Sequence, residues 1–321
     1  MSKEESYAIT NTKYILTVFI VCLHCSIHAD RIPNVTIVYR DLDTVLMILY
    51  DCAVPAFFFL SSYLFFRNFS INDYGKKLMT RVNSLLIPYI VCSTIGFLFF
   101  VLRQLILSDI HSLTFSDSIN AILLRKYDPP IWFLLILFEY VLWTPAILIL
   151  FKKLKKHTIY LLVLLLYIIN LFLDKSSYVN IFYWMPLFIM GSFIGYQESQ
   201  GVKIRIKWQI GLLLFPLIGI NYWLYGGDLG GNVYYTYRLL GGVLAIICGH
   251  VLCWKPLPFE KYMMFVFLTH SFVHSPLLMI TPPIAVLSFP RVILVITICT
   301  FTGWLLSKYT PKLYSIITGD R

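Results

Sequence analysis

Residues 13–30 read KYILTVFIVCLHCSIHAD, an almost unbroken apolar run that begins at Lys13 and carries His24 in its second half. A run of this length and apolarity is typical of a helix that spans a membrane. An imidazole inside such a helix is costly to keep there, so a functional role is the first hypothesis for His24. The composition of the rest of the chain tests whether the run lies in a bilayer.

The composition predicts a membrane protein. The chain has 321 residues, of which 59% are hydrophobic and 13% are charged, whereas soluble domains carry roughly 25% charged residues. Its mean hydropathy is +0.76. One water-exposed domain cannot bury so much apolar surface, so we expect residues 1–321 to form a single all-α integral membrane domain. Glu4 and Glu5 precede the first run and no A-x-A site follows it, so we expect that run to stay as the first span.

Apolar runs separated by polar turns predict about ten transmembrane helices. The predicted spans are 13–29, 45–66, 84–103, 131–151, 157–173, 181–196, 208–225, 238–254, 262–280 and 292–307.

The positions of the charges set the predicted orientation. Most of the 26 lysines and arginines fall in alternate loops, and the positive-inside rule then places both termini in the cytoplasm. Because these cations form short clusters between apolar runs, the net charge of +10 indicates membrane topology, with the lipid bilayer as partner and no nucleic acid. The seven cysteines lie in or beside apolar runs without framework spacing, which predicts small buried hydrophobes rather than disulfides.

Lys13 and His24 share one face of the first helix. His24 follows Lys13 by eleven positions, which is about 16 Å of helix and about 20° past three full turns. The lysine would therefore lie at the cytoplasmic edge, with the imidazole at or beyond the midplane as a candidate general base. Two alternatives stay open: a histidine that hydrogen-bonds a neighbouring helix for packing, and a lysine that only anchors the helix end.

Five further segments, taken with the Lys13–His24 spacing, resemble the acyltransferase 3 family of membrane O-acyltransferases. Their order along nearly the whole chain carries the resemblance more than any one of them. They are VPAFFFLSSYLFF (54–66), KKLMTRVNSLLIPY (76–89), PPIWFLLILF (129–138), MPLFIMGSFIGY (185–196) and FVFLTHSF (265–272). The chain departs from the family pattern in having Lys13 for the usual arginine, Ser62 for glycine, and Ser84 at the second basic position of the loop.

The resemblance implies transfer of an acyl group, commonly acetyl, from a cytoplasmic coenzyme A thioester to a hydroxyl of an envelope glycan. It implies a multi-pass protein of the bacterial inner membrane, with acyl-CoA as donor substrate and no bound cofactor. His24 would be the catalytic residue, either as general base or as the group that is acylated first. The remaining candidates fall into two sets. The donor-binding set is Lys13, Arg67, Lys77 and Arg81, and the substrate-path set is Ser61, Tyr63, Trp132 and His270.

Other ionisable residues carry further hypotheses. Asp51 and Glu139 lie inside predicted spans, so either could orient His24 through its second nitrogen or could bond a partner helix. An ion-coupled acid of this kind, with Pro55 and Pro216 breaking corresponding spans, would favour a flippase or exporter of glycan precursors.

The histidines leave one more alternative. His24 with His28 and His270 with His274 are spaced as i, i+4 pairs, a spacing that allows a metal- or haem-binding redox protein. No acidic or thiolate set completes either pair, so we expect no metal site. The stretch YGGDLGGNVYYTYR (225–238) suits a carbohydrate-facing loop or, more simply, an aromatic belt at the membrane interface.

Overall fold

The structure, a computed structural model, describes residues 2–27, 36–107, 131–172, 180–202, 231–280 and 287–319, together with 32, 34, 119 and 284. This described part is helical and contains no β-strand, which confirms the all-α prediction there. In chain order the helices are α1 (Lys3–Cys25), α2 (Ile37–Asp51), α3 (Ala53–Phe66), α4 (Tyr74–Arg81), α5 (Ile87–Leu107), α6 (Trp132–Lys153), α7 (Lys156–Phe172), α8 (Ile181–Ser199), α9 (Gly231–Gly249), α10 (Met263–Ile280), α11 (Ser288–Tyr309) and α12 (Pro311–Thr318).

Helix α1 begins well before its apolar run because its first turn is capped. The Ser2 side chain accepts a hydrogen bond from the backbone N–H of Glu5 at 3.1 Å, and Glu4 and Glu5 place negative charge at the positive end of the helix dipole. The 23 residues give a length of about 34 Å, enough to cross the hydrocarbon core. The polar start and the apolar run that follows it are therefore one continuous helix.

Six helices among the described residues are long and apolar enough to cross a membrane, so the chain is an integral membrane protein with several spans. These helices are Lys3–Cys25, Ile37–Phe66, Ile71–Ile106, Trp132–Lys153, Glu260–Ile280 and Ser288–Tyr309, and they match six of the predicted spans. The predicted spans 157–173 and 238–254 coincide with shorter apolar helices. The span 181–196 coincides with α8, whereas 208–225 lies outside the described residues. The total of ten stays a prediction.

Two prolines explain departures from regular α-helix. Pro55 cannot donate to the carbonyl of Asp51, and the helix is interrupted at Cys52, between α2 and α3. Pro88 likewise cannot donate to the carbonyl of Ser84, and residues Val82–Leu86 form a π-helical turn between α4 and α5. The break near Pro55 is the one proposed for span two, while Pro216 lies outside the described residues.

Helices α3 and α8 approach closely because α8 carries glycines four residues apart. A Cβ atom placed on Gly191 would lie 2.3 Å from Ser62 Oγ and 2.4 Å from the Phe59 carbonyl oxygen. A Cβ atom on Gly195 would lie 2.3 Å from the Tyr63 carbonyl oxygen. Small residues with this spacing let the backbones of membrane helices touch. This contact fixes the position of α3 in the bundle.

Replacement of Gly195 by alanine is expected to destabilise the protein by about 1–3 kcal/mol, because the added methyl group meets backbone that cannot move aside. The thermal unfolding midpoint of the detergent-purified protein measures this loss. Gly75→Ala is the matched control, since a Cβ atom on Gly75 has nothing within 4 Å. Equal midpoints for the two variants would show that the contact between α3 and α8 is not tight.

Polar side chains join other helices to the two ends of α9. At one end, the Asn11 side chain of α1 donates to the carbonyl oxygens of Leu252 and Trp254 at 2.6 and 2.8 Å. At the other end, Arg238 of α9 donates to Asp51 of α2 at 3.0 Å. These contacts hold α1 beside the segment after α9 and hold α2 beside the start of α9.

The tyrosine-rich stretch is partly helical rather than a loop. Helix α9 begins at Gly231, earlier than the predicted span, and Tyr235 is fully buried. Its ring stacks on Tyr167 and packs edge-on against Tyr183, and its hydroxyl donates to the Tyr183 carbonyl at 2.9 Å. Tyr235 therefore serves helix packing and does not face a carbohydrate.

Candidate active site

A cavity of about 480 Å³ follows one face of α1. The face is a helical stripe formed by Thr10, Lys13, Tyr14 and Thr17, which have the i, i+3, i+4, i+7 spacing of side chains on one side of a helix. Helices α3, α6 and α10 close the cavity with mostly apolar side chains. Because His24 follows Thr17 by seven positions, the same stripe leads on to it.

The polar end of this cavity is basic. Lys13, Arg81 and Lys261 all line it, whereas Glu260 is the one acidic residue in the described lining. Glu260 caps a turn, since its carboxylate accepts from the backbone N–H of Leu257 at 3.0 Å. The cations therefore exceed the anions, and the cavity mouth suits a negatively charged group.

Arg81 reaches the cavity because the π-helical turn begins directly after it. Its guanidinium lies over the ring of Phe65, 5.6 Å from the centroid. Lys77, one helical turn earlier, takes a different role: its ammonium donates to the carbonyl oxygens of Phe65 and Asn68. Lys77 thus holds the end of α3, and the structure brings Lys13 together with Arg81 rather than with Lys77.

Arg67, the fourth predicted donor-binding residue, lies in a separate ionic network. It pairs with Glu5 of α1 through its terminal nitrogens, and its Nε lies 3.4 Å from Glu198 Oε2. The Tyr63 hydroxyl also donates to Glu198 at 2.7 Å. Arg67 and Tyr63 therefore join α1, α3 and α8 through their contacts with Glu5 and Glu198.

The opposite faces of α3 explain this separation. Phe57, Ser61, Leu64 and Phe65 line the basic cavity, as expected for positions one to two turns apart on one face. Tyr63 instead lines a second cavity of about 330 Å³, on the other side of α1. Of the predicted substrate path, Ser61 alone lies directly in the basic cavity.

His24 meets His270 beyond the deep end of the basic cavity. The two imidazole rings are stacked, with centroids 5.4 Å apart and planes inclined by 28°. Phe267 lines the cavity, and its ring centroid is 6.4 Å from that of His270. The cavity therefore ends one aromatic ring away from the histidine pair.

Trp132 has a packing role in the described structure. It is buried, and its ring stacks on Trp184 at 6.0 Å and lies 6.3 Å from Phe58. Its neighbour Phe133 is the residue that reaches the cavity. Trp132 thus supports the cavity wall from behind.

The two intramembrane acids have different environments. Asp51 is buried and forms an ion pair with Arg238, whose guanidinium lies 5.4 Å from the ring centroid of Trp184. This pairing explains a buried carboxylate without involving a histidine. Glu139 is half-buried on α6, one heptad after Trp132. The role of either acid in orienting His24 stays a prediction.

The cysteines and histidines give no metal centre among the described residues. No group of three or more His, Cys, Asp or Glu side chains with metal-binding geometry occurs in that part of the chain, and His28 lies outside it. All seven cysteines are described; none forms a disulfide and five are buried, as the sequence predicts for small hydrophobes.

Five polar residues of the described lining were not predicted from the sequence: Thr10, Tyr14, Thr17, Glu260 and Lys261. Thr17 could have been found from its spacing, since it lies one turn after Lys13 on the same face. Glu260 and Lys261 form a polar pair directly before a predicted span, but their approach to Lys13 requires the packing of α10 against α1. No local sequence pattern identifies Arg238 as the ion-pair partner of Asp51.

The fold and the cavity define a class: a helical integral membrane protein with a basic, apolar-walled cavity whose stripe on α1 leads to a histidine pair. A family profile described as an acyltransferase domain, that of acyltransferase 3, matches residues 6–308. The chain belongs to this family, and acyl transfer is therefore its class of activity, in place of the transport and redox alternatives. Searches of curated proteins and of solved structures found no match to the chain.

Proposed function

We propose that this protein transfers an acetyl group from a cytoplasmic coenzyme A thioester to a hydroxyl of a cell-surface polysaccharide or its lipid-linked precursor. The observation that carries the proposal is the cavity on α1, which is lined by cations and by Phe267, the aromatic residue that packs near the His24–His270 pair. Membership of an acyltransferase family supports acyl transfer itself. The donor, the acyl group and the acceptor are our inference.

The cavity fits the two chemical parts of a coenzyme A thioester. Coenzyme A is a polyanion with a long arm that ends at sulfur. Lys13 and Arg81 would hold its phosphates, with Lys261 close by at the same end. The apolar walls from Phe57, Phe133 and other rings would enclose the arm and exclude water from the thioester.

His24 would act where the arm ends. Lys13 and His24 are separated by about 16 Å along α1, so a donor anchored at Lys13 extends its thioester along the stripe. The acceptor oxygen attacks the thioester carbonyl carbon, His24 takes the hydroxyl proton, and the carbon–sulfur bond breaks. The proton then passes to the sulfur, which leaves coenzyme A as a thiol and the glycan as an O-acyl ester. Acylation of His24 before transfer is the other route open to the same residue.

The proposal places the basic end of the cavity in the cytoplasm of a bacterium and the protein in its inner membrane. The charge distribution supports this orientation, because the loops near that end carry most of the lysines and arginines. It also places both termini in the cytoplasm.

Sealed membrane vesicles test the donor and the orientation together. With labelled acetyl-CoA added outside, inside-out vesicles from the host should label their envelope glycan or lipid-linked precursor. Right-side-out vesicles should not, because coenzyme A esters do not cross the bilayer. The measurement is label in the glycan fraction, against vesicles from cells that lack the protein. Labelling of right-side-out vesicles alone would reverse the orientation, and labelling of neither would exclude this donor.

A further inference from the structure

The second histidine of the stacked pair is held in one tautomer. His270 Nδ1 lies 2.8 Å from the Phe267 carbonyl oxygen. A carbonyl can only accept, so Nδ1 carries the hydrogen and, in the neutral ring, Nε2 carries the lone pair. The backbone of α10 thereby orients the His270 ring as a hydrogen-bond acceptor.

This acceptor has no partner among the described residues. His270 is fully buried, and its Nε2 makes no hydrogen bond within the described part of the chain. Buried polar atoms are nearly always hydrogen-bonded, because leaving one unpaired forfeits its interaction with water. Among the buried polar atoms without a partner in the described part of the chain, His270 Nε2 belongs to the ring that packs near both Phe267 of the cavity wall and His24. This position points to a ligand that supplies the missing donor.

We propose that His270 Nε2 accepts a hydrogen bond from the acyl acceptor and so positions the acceptor hydroxyl beside His24. The inference rests on the proposed function, since it assigns the substrate that the stacked pair would hold. An acceptor with a second hydroxyl near the reacting one, as in a sugar, meets this requirement: one hydroxyl reaches His24 and the other donates to His270. Coenzyme A, anchored at Lys13 and Arg81, donates no hydrogen bond to His270 Nε2.

Two substitutions separate this role from a structural one. His270→Asn keeps an N–H near the Nδ1 position, and with it the bond to the Phe267 carbonyl, but has no acceptor at the Nε2 position. His270→Gln reaches the Nε2 position with an amide oxygen but loses the bond to Phe267. A positioning role therefore predicts that Gln retains more activity than Asn, and a purely structural role predicts the reverse order.

The experiment uses detergent-solubilised full-length protein, labelled acetyl-CoA and an envelope-glycan extract of the host, titrated separately. For His270→Asn we expect kcat/KM for the extract to fall about 10-fold, as for loss of one hydrogen bond in the transition state. The KM for acetyl-CoA should be unchanged, and Gln should lie between Asn and wild type. A KM for acetyl-CoA that rises as much as the KM for the extract, or Asn more active than Gln, would overturn the positioning role. Absence of transfer by the wild-type protein would instead overturn the proposed function, and this inference with it.

Discussion

Replacement of His24 by glutamine is expected to reduce acyl transfer by about 10²–10⁴-fold, the usual contribution of a general base. Glutamine has similar reach and keeps a hydrogen-bonding group, but it has no nitrogen that can take up a proton at working pH. His24 is half-buried at the end of α1 and contacts His270 by stacking. The variant should therefore insert and remain folded, with at most a modest loss of stability. The measurement is the acylated fraction of envelope glycan in cells at matched protein levels.

The control for this substitution is His157→Gln. His157 is exposed near the start of α7, outside the cavity lining, so the same chemical change there should leave acylation unaltered. Normal acylation by the His24 variant would make the imidazole a packing group and remove it from the mechanism. Melting temperatures of both purified variants show whether any loss of activity is a loss of folded protein.

The sequence predicted the helical face that carries the site, because helix periodicity is local information. The spacing of Lys13 and His24 predicts that they share one face, and in the structure Lys13 lines the basic cavity while His24 stacks on His270. Helix α1 begins ten residues before the predicted span 13–29, because apolarity marks only the hydrocarbon part of a span. A polar turn capped by Ser2 extends the helix without adding to that signal.

Contacts between segments far apart in the chain could not be predicted from the sequence. The stack of His24 on His270 depends on how α10 is rotated against α1, and no pattern in either helix determines that rotation. The environment of Arg67 also depends on such distant contacts. As a cation that follows an apolar run, Arg67 is predicted to bind a phosphate of the donor. Its partners Glu5 and Glu198 come from the ends of two other helices, and only the packed bundle brings them together.

Removal of Lys13 and Arg81, two of the three cations in the described cavity lining, should weaken donor binding more than any other change away from the histidines. We expect the double variant Lys13→Gln, Arg81→Gln to bind acetyl-CoA about 10- to 100-fold more weakly, since each charge-assisted contact to a phosphate contributes about 1.5–3 kcal/mol before screening by solvent. Lys13 is exposed to the cavity and Arg81 is half-buried, so salt should screen both contacts. The difference from wild type should therefore be largest at low ionic strength. Equilibrium binding of acetyl-CoA to the detergent-purified proteins at two salt concentrations measures the effect.

Two controls make this result specific to the cavity. Lys76→Gln with Lys152→Gln removes the same net charge from exposed positions outside the described lining, so it tests for a general effect of charge on a polyanionic ligand. Arg67→Gln removes a cation whose partners are Glu5 and Glu198, so we expect it to lower the melting temperature and leave donor affinity unchanged.

Donor affinity that stayed constant in the double variant at both salt concentrations would exclude Lys13 and Arg81 from the donor site. Loss of affinity in Arg67→Gln at unchanged stability would place the donor phosphates near Arg67, outside the basic cavity.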